Sequence, residues 1–154
     1  SKNEYWNGLI DVSWVQGTDI IYASGTHHST NGCYNISKDA GKTWTLIDTM
    51  GMSHFNAIFA YDSNSVWTGA DRENFARTTN GGTTWEKQIL NFNGIWILGI
   101  SAVSQNELWV VGCAVDLGYN PTSTILHSKD AGKTWEEQTV PESILELWRV
   151  SFKK

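Results

Sequence analysis

The sequence predicts an all-β protein built from three copies of one antiparallel sheet, and two observations lead to this prediction. One eight-residue pattern occurs three times, at Ser37–Trp44, Thr78–Trp85 and Ser128–Trp135, and its first and third copies are identical (SKDAGKTW). The composition combines nine Trp and 14 Gly with only two Pro, which suits strands joined by glycine-based turns. Repeats that start 41 and 50 residues apart, in a chain without helical periodicity, indicate a repeated sheet module.

Each repeat contains four strand-like segments, A to D. Strand C ends at the first residue of the eight-residue pattern, and strand D begins at its Trp. The sheets therefore span about 9–49, 55–90 and 97–140 of a single domain, 1–154, and the segment Leu147–Phe152 predicts one extra strand A. The strand A candidates are Leu9–Val15, Asn56–Tyr61 and Ile97–Val103, and the strand B candidates are Asp19–Ala23, Ser65–Gly69 and Glu107–Gly112.

The eight-residue pattern has the residues of a tight turn between strands C and D. Its Asp, or Asn in the middle copy, can accept a hydrogen bond from the backbone N–H two residues on. The glycine at its fifth position supplies a positive φ, and its Trp offers a large apolar face to the next module. A catalytic role for the Asp is disfavoured because the middle copy has Asn. The predicted structural positions are Ser37, Asp39, Gly41, Thr43 and Trp44; Thr78, Asn80, Gly82, Thr84 and Trp85; and Ser128, Asp130, Gly132, Thr134 and Trp135.

Length variation is concentrated between strands B and C. The distance from the strand B aromatic to the next pattern is 15, 11 and 19 residues in the three repeats. From the pattern Trp to the next strand B aromatic it is 23 and then 24 residues. Scaffold connections keep their length whereas recognition loops vary, so the B–C connections are the predicted binding loops.

Charge and composition exclude several classes of partner. With 16 acidic and 11 basic residues the net charge is −5, which disfavours nucleic acid and anionic membrane surfaces. No apolar run approaches the roughly 20 residues that span a bilayer. We therefore expect no membrane insertion. No glycine-rich phosphate loop opens a helix, so we expect no cofactor either. Cys33 and Cys113 leave one disulfide and two half-buried thiols equally open.

The pattern Ser-x-Asp-x-Gly-x-Thr-Trp resembles the Asp-box of the sialidase-type β-propellers, also called bacterial neuraminidase repeats. Two copies match fully, and the middle copy departs at Thr78 and Asn80. That copy, after the strand Val66–Gly69, looks most like the Ycf48-like repeats, which also occur in large secreted bacterial surface proteins. The resemblance implies a β-propeller segment of three four-stranded antiparallel blades plus one extra strand. It also implies a location outside the cytoplasm: extracellular, at the cell surface or periplasmic.

In such propellers the box resembles a peripheral turn opposite the binding site, so the B–C and D–A connections are expected to form the binding face. This favours a non-catalytic recognition or assembly module that binds a protein or a glycan. Aromatic side chains there could stack on a sugar or on a peptide side chain. The candidates are His27, His28, Asp71, Arg72, Glu73, Asp116, Tyr119 and Asn120 in the B–C connections, and His54, Phe92 and Asn93 in the D–A connections.

A fragment of a sialidase-like or xyloglucanase-like glycoside hydrolase is the alternative. Such an enzyme needs two carboxylates about 5 to 10 Å apart across a cleft, which Asp71, Glu73 and Asp116 could supply. Sialidases resemble one another in a clamp of three arginines, whereas this chain has Arg72, Arg77 and Arg149. A metal site at the adjacent His27 and His28 is disfavoured, because neighbouring residues on a strand point to opposite faces.

Three blades cannot close a ring, since known propellers have at least four. We therefore expect an incomplete ring whose two flanking faces are apolar. Such faces require either further blades in the same chain or a second copy of it.

Overall fold

The computed structural model describes residues 8–27, 31–47, 51–52, 54–92, 94–115, 121–141 and 143–152. Within these ranges all regular secondary structure is β, in three four-stranded antiparallel sheets that do not close a ring. The predicted all-β fold class is therefore confirmed. No segment of this described part forms a helix of the length and hydropathy that crossing a membrane requires.

The strands follow chain order within each sheet, and each is hydrogen-bonded to the next. Sheet 1 contains β1 (Gly8–Trp14), β2 (Ile21–His27), β3 (Asn31–Ser37) and β4 (Thr45–Ile47). Sheet 2 contains β5 (Phe55–Ala60), β6 (Val66–Ala70), β7 (Asn74–Thr78) and β8 (Glu86–Ile89). Sheet 3 contains β9 (Trp96–Ala102), β10 (Leu108–Val115), β11 (Pro121–Ser128) and β12 (Glu136–Gln138).

Burial shows how the sheets stack. All five residues of β6 are buried, because sheet 2 is covered by sheet 1 on one face and by sheet 3 on the other. The first strand of sheet 2, β5, contacts both β1 and β9, so the first strands lie together on the inside of the arc. The fourth strands β8 and β12 are short, largely exposed and rich in charge, which suits outer edge strands.

Buried apolar residues fill both boundaries between the sheets. Tyr22, Tyr34 and Val66 pack in the core between sheets 1 and 2, and Trp67, Phe75 and seven other buried residues of sheets 2 and 3 form most of the core between those sheets. Cys33 and Cys113 lie in different sheets as buried thiols rather than a disulfide.

The turn tryptophans pack in the direction opposite to the predicted one. Trp85 packs against Tyr34 of the preceding sheet, with ring centroids 5.0 Å apart. Trp135 packs against Phe75 of the preceding sheet at the same distance, in an edge-to-face arrangement. The expectation that each Trp faces the next module is thus wrong, and the second and third turns contact the sheet that comes before them.

The predicted extra strand at 147–152 is also wrong, since residues 144–152 have no strand hydrogen bonding. A strand A forms its ladder with strand B of its own sheet, and none of the described strands pairs with this segment. The segment nevertheless lies where a further strand A belongs. The backbone N–H of Phe152 donates to Ser101 Oγ (3.3 Å), as that of Ala60 donates to Ser13 Oγ (2.9 Å) between sheets 1 and 2. We call 143–152 the tail.

Candidate functional site

The three eight-residue turns lie at one end of the sheets, which we call the turn end. In each sheet a residue of this turn donates its backbone N–H to a carbonyl in the turn between the first and second strands of the same sheet. The bonds are Ala40 to Asp19 (2.9 Å), Gly81 to Asn64 (3.0 Å) and Ala131 to Asn106 (2.8 Å). The second strands end, and the third strands begin, at the opposite end of the sheets, which we call the loop end.

Hydrogen bonds inside each turn explain its sequence. Asp130 Oδ1 accepts bonds from Ser128 Oγ and the Thr134 N–H, both 2.8 Å long, and Oδ2 accepts one from Thr134 Oγ1 at 2.6 Å. Asp39 is bonded in the same way. In the middle turn Asn80 Oδ1 takes the two Oδ1 bonds, and its amide donates to Thr84 Oγ1 at 2.8 Å. The backbone N–H groups that donate to Asp130 lie three and four residues on, at Lys133 and Thr134, not two as predicted.

The fifth residue of each turn is a glycine in the left-handed conformation that only glycine adopts at low cost. The φ angles are 85°, 85° and 87° at Gly41, Gly82 and Gly132. The residue before each of them, Ala40, Gly81 or Ala131, also has a positive φ. The conformation of the turn is thus the same in all three sheets.

The hydrogen bonds to the two turn carboxylates predict a loss of stability in acid. The bonds from Thr43 and Ser37 lower the pKa of Asp39 to about 2. For Asp130, desolvation raises the pKa, but bonds from Thr134, Ser128 and Lys133 outweigh it and lower the pKa to about 2. Because the unfolded pKa is about 3.9, the folded state binds fewer protons, so this stability is present above about pH 4 and lost as pH falls toward 2.

The measurement is urea unfolding at a series of pH values for the native chain and for the double variant Asp39→Asn, Asp130→Asn. Asn80 shows that an amide fits this turn, so the variant is expected to fold. Its unfolding midpoint should fall less between pH 4 and 2 than that of the native chain. Parallel pH profiles of the two proteins would contradict the assignment.

The loop end contains five of the predicted site residues whose side chains the structure describes: His54, Asp71, Arg72, Glu73 and Phe92. His27 is the last residue of β2, at the same end. His28, Asn93, Asp116, Tyr119 and Asn120 lie outside the described residues. Phe92 is partly buried and packs against the core of sheets 2 and 3.

Two side chains of sheet 2 and its preceding connection contact the carboxylate of Asp71 at the loop end. Its Oδ2 lies 3.1 Å from His54 Nδ1, and its Oδ1 accepts a hydrogen bond from Asn56 Nδ2 at 2.8 Å. The structure thus brings together His54 and Asp71, which the sequence placed on different connections. The carboxylate is held in a fixed orientation by these two neighbours.

A cleft of about 380 Å³ opens beside this group, between sheet 2, sheet 3 and the tail. Its polar members come from sheet 2 and the tail, and its indole rings come from β9 and the tail. Trp96 is 46% and Trp148 65% exposed, so both rings are available to a ligand. Trp148 Nε1 donates to Glu146 Oε2 at 3.0 Å. The cleft is lined by His54, Asn56, Asp71, Trp96, Leu98, Cys113, Glu146 and Trp148.

A repeated β-bulge places two of these residues. The pairing of first and second strands skips one residue in every sheet: Ile10, Asn56 and Leu98. A bulge re-aims the side chain of the extra residue, and bulges are common beside functional sites. Asn56 and Leu98 line the cleft, and Ile10 lines a neighbouring cavity of about 420 Å³. The sequence reading missed Asn56, although it is a polar residue within an otherwise apolar strand.

The turn between β6 and β7 holds Asp71 at the cleft through an unusual backbone. Its two central residues, Arg72 and Glu73, have φ of 55° and 66°. This turn geometry is normally provided by Asn-Gly or Asp-Gly, and non-glycine residues in it are strained. Bonds to the sheet 2–sheet 3 connection hold the turn, from the Glu73 N–H to Ile95 O (2.7 Å) and from the Gly94 N–H to Glu73 Oε1 (2.9 Å). Such strain is typical of functional sites.

The arrangement of charges gives little support to glycoside hydrolysis. Asp71 is engaged with His54 and Asn56, and Glu73 accepts the Gly94 N–H. The three arginines are dispersed. Arg72 lies in the β6–β7 turn, Arg77 pairs with Glu86 and donates to Ala131 O (3.2 Å), and Arg149 of the tail reaches Asp11 (3.4 Å). Across the part of the chain that is described, no three His, Cys, Asp or Glu side chains converge as metal ligands would.

Comparison with known proteins supports the fold. No protein-family model matches this chain, and no curated protein matches it. Among solved structures it is similar to one described as YCF48 bound to D1 peptide, with a TM-score of 0.66 and 18% sequence identity. The match covers 87% of this chain and 40% of that one, so this chain spans well under half the length of that protein. The fold and this likeness define the chain as a segment of a β-propeller.

Proposed function

We propose that this chain is a non-catalytic recognition or assembly module that binds a polypeptide segment at its loop end. The observation that carries the proposal is the cleft beside Asp71, where an oriented carboxylate stands with two exposed indole rings. Concave sites with apolar walls and a few fixed polar groups are typical of ligand binding. The similar propeller whose structure is described with a bound peptide makes a protein ligand the first choice.

The chemistry of the cleft favours a basic side chain. Asp71 and Glu146 contribute two carboxylates, and the whole chain has a net charge of −5. Trp96 and Trp148 offer ring faces on which a lysine ammonium or an arginine guanidinium can lie. An extended segment with one lysine or arginine between apolar residues therefore fits both the charge and the aromatic surface.

A location outside the cytoplasm is part of this proposal. It rests on the resemblance of the eight-residue turns to those of secreted and surface-exposed propellers. Fractionation of the native cells, followed by detection of the protein in each fraction, tests it. Recovery in the cytoplasmic fraction alone would contradict it.

Binding to an array of immobilised peptides tests the ligand class. The peptides should be matched in sequence except for a central Lys, Arg, Gln or Glu, and a glycan array should be probed in parallel. We expect preference for the Lys and Arg peptides, and about a tenfold or greater loss of affinity in Asp71→Asn, because a charge-assisted contact is removed. Trp148→Ala should weaken binding as well. The control Glu137→Gln, exposed on β12, should bind as the native chain does.

Three outcomes would contradict the proposal. The first is equal binding of Lys and Glu peptides, and the second is binding to glycans alone. The third is unchanged peptide affinity in both cleft variants, since it would place the ligand elsewhere on the molecule.

A further inference from the structure

The outer faces of sheets 1 and 3 lack a neighbouring sheet, and the two internal boundaries show what such faces pack against. At the first boundary Tyr34 of β3 meets Trp85, and at the second Phe75 of β7 meets Trp135, each with ring centroids 5.0 Å apart. A ring on the third strand of one sheet therefore contacts the turn tryptophan of the following sheet. Sheet 1 therefore has a turn tryptophan without a ring from a preceding sheet, and sheet 3 has a third-strand residue without a turn tryptophan from a following sheet.

Sheet 1 exposes the half that a preceding sheet would cover. Trp44, its turn tryptophan, is 42% exposed, and Leu9 and Val12 of β1 are 65% and 64% exposed. The strand pairing aligns Leu9 with Phe55 and Ile97, and Val12 with Ile58 and Ile100. All four of these equivalents are at most 6% exposed, because a preceding sheet covers them.

At two further positions sheet 1 has a larger or more apolar side chain than the equivalent positions of sheets 2 and 3. Trp14 stands where the other sheets have Ala60 and Ala102, and it is 57% exposed. Leu46 stands where they have Lys87 and Glu137, and it is 46% exposed. Register places Val12, Ala23 and Leu46 on the same face of sheet 1. A contiguous apolar face of this kind marks an interface.

Sheet 3 has the complementary half of the contact, and its two residues, Trp109 and Ile125, are partly buried. Ile125 of β11 is at the position of Tyr34 and Phe75, and Trp109 of β10 is at the position of Tyr22 and Trp67. Those two equivalents donate to backbone carbonyls of the next sheet, Tyr22 to Ser63 (3.4 Å) and Trp67 to Ala131 (3.1 Å). Trp109 is stacked on His127, with ring centroids 4.1 Å apart.

The tail covers only the inner part of the sheet 3 face. Phe152 packs on Trp109 at 4.6 Å and bonds to Ser101, so these contacts are with β10 and β9. The tail backbone at Arg149 and Val150 also passes close to Gly99 of β9. On sheet 1 the equivalent positions, in β1 and β2, are contacted by β5. The tail thus occupies the position of the first strand of a neighbouring sheet.

We propose that a second copy of this chain packs its sheet 1 on the sheet 3 face of the first copy, head to tail. The β1 strand of the second copy takes the place of the tail, and its Trp44 packs against Ile125 as Trp85 packs against Tyr34. This contact continues the pattern of the two existing sheet boundaries. Because the second copy displaces the tail, it removes Glu146 and Trp148 from the cleft, so association at this face and peptide binding at the cleft exclude each other. Two copies joined at both ends form a ring of six sheets, within the range of known propellers. If the rotation does not close, the same contact gives open multimers.

Light scattering coupled to gel filtration, over a range of protein concentrations, tests this contact. The native chain should show a mass above its 17.2 kDa, rising with concentration. Leu46→Lys copies the residue of sheet 2 at this position and should fold, yet weaken association about tenfold or more. Trp44→Asp should weaken it further. Phe152→Asp releases the tail and should strengthen association. The control Ile89→Asp, at an exposed position of β8, should change nothing.

Either a closed dimer or a series of multimers would support the head-to-tail contact. A native chain and a Phe152→Asp variant that both remain at 17.2 kDa to the highest soluble concentration would overturn it. So would association that survives both Leu46→Lys and Trp44→Asp while circular dichroism shows intact sheets.

Discussion

Replacing Trp67 with alanine is expected to lower the free energy of unfolding by about 3–5 kcal/mol. Trp67 is 2% exposed and fills the core between sheets 2 and 3, and its Nε1 donates to Ala131 O at 3.1 Å. The substitution removes a large apolar side chain and a hydrogen bond between sheets, and it leaves a cavity. Since domains are stable by about 5–15 kcal/mol, the loss is a large part of the total.

Urea unfolding followed by far-ultraviolet circular dichroism measures this effect. Trp148→Ala is the matched control, because that indole is 65% exposed and bonds only to the neighbouring Glu146 among the residues described. Its expected cost is below about 1 kcal/mol. Similar losses in the two variants would show that the boundary between sheets 2 and 3 is not the main core.

The fold could be predicted from the sequence because its signals are local and recur three times. Each eight-residue turn contains its own hydrogen-bond partners, such as Asp130 and Thr134, so the pattern identifies the turn wherever it occurs. The apolar residues of β5 and β9 identify these segments as inner strands. The tail is similarly rich in apolar residues but forms no strand, because a ladder needs a partner that local sequence does not show.

The candidate site could be predicted only in part. Chain position assigned His54 and Asp71 to the same end of the sheets, but their contact is a consequence of how β5 and β6 pair. Asn56 and Trp96 lie in segments with the pattern of core strands, and only the repeated bulge turns Asn56 toward the cleft. Glu146 and Trp148 reach the cleft because the tail docks on sheet 3, which is a long-range contact.

Replacing Gly69 with valine is expected to lower the free energy of unfolding by about 3 kcal/mol through overpacking. Gly69 lies in β6, where the first carbon of any side chain would lie 2.7 Å from Ile97 Cβ, with Ile97 Cγ2 closer still. Ile97 is fully buried and β-branched, so it has no free rotamer to adopt. The two sheets must then separate. The equivalent position of sheet 3 already holds valine, Val111, and faces the tail rather than another sheet.

The need for glycine at position 69 links the packing of sheets 2 and 3 to the geometry of the cleft. Ile97 is the neighbour of Trp96 and Leu98, so moving β9 away from β6 also moves the indole of Trp96 away from Asp71. Gly69→Ala should therefore show a smaller loss of stability in urea together with weaker peptide binding at the loop end. The control Gly8→Ala, where an added carbon meets no atom within 4 Å, should change neither quantity. Full peptide affinity in Gly69→Ala, with reduced stability, would show that the ligand does not bridge sheets 2 and 3.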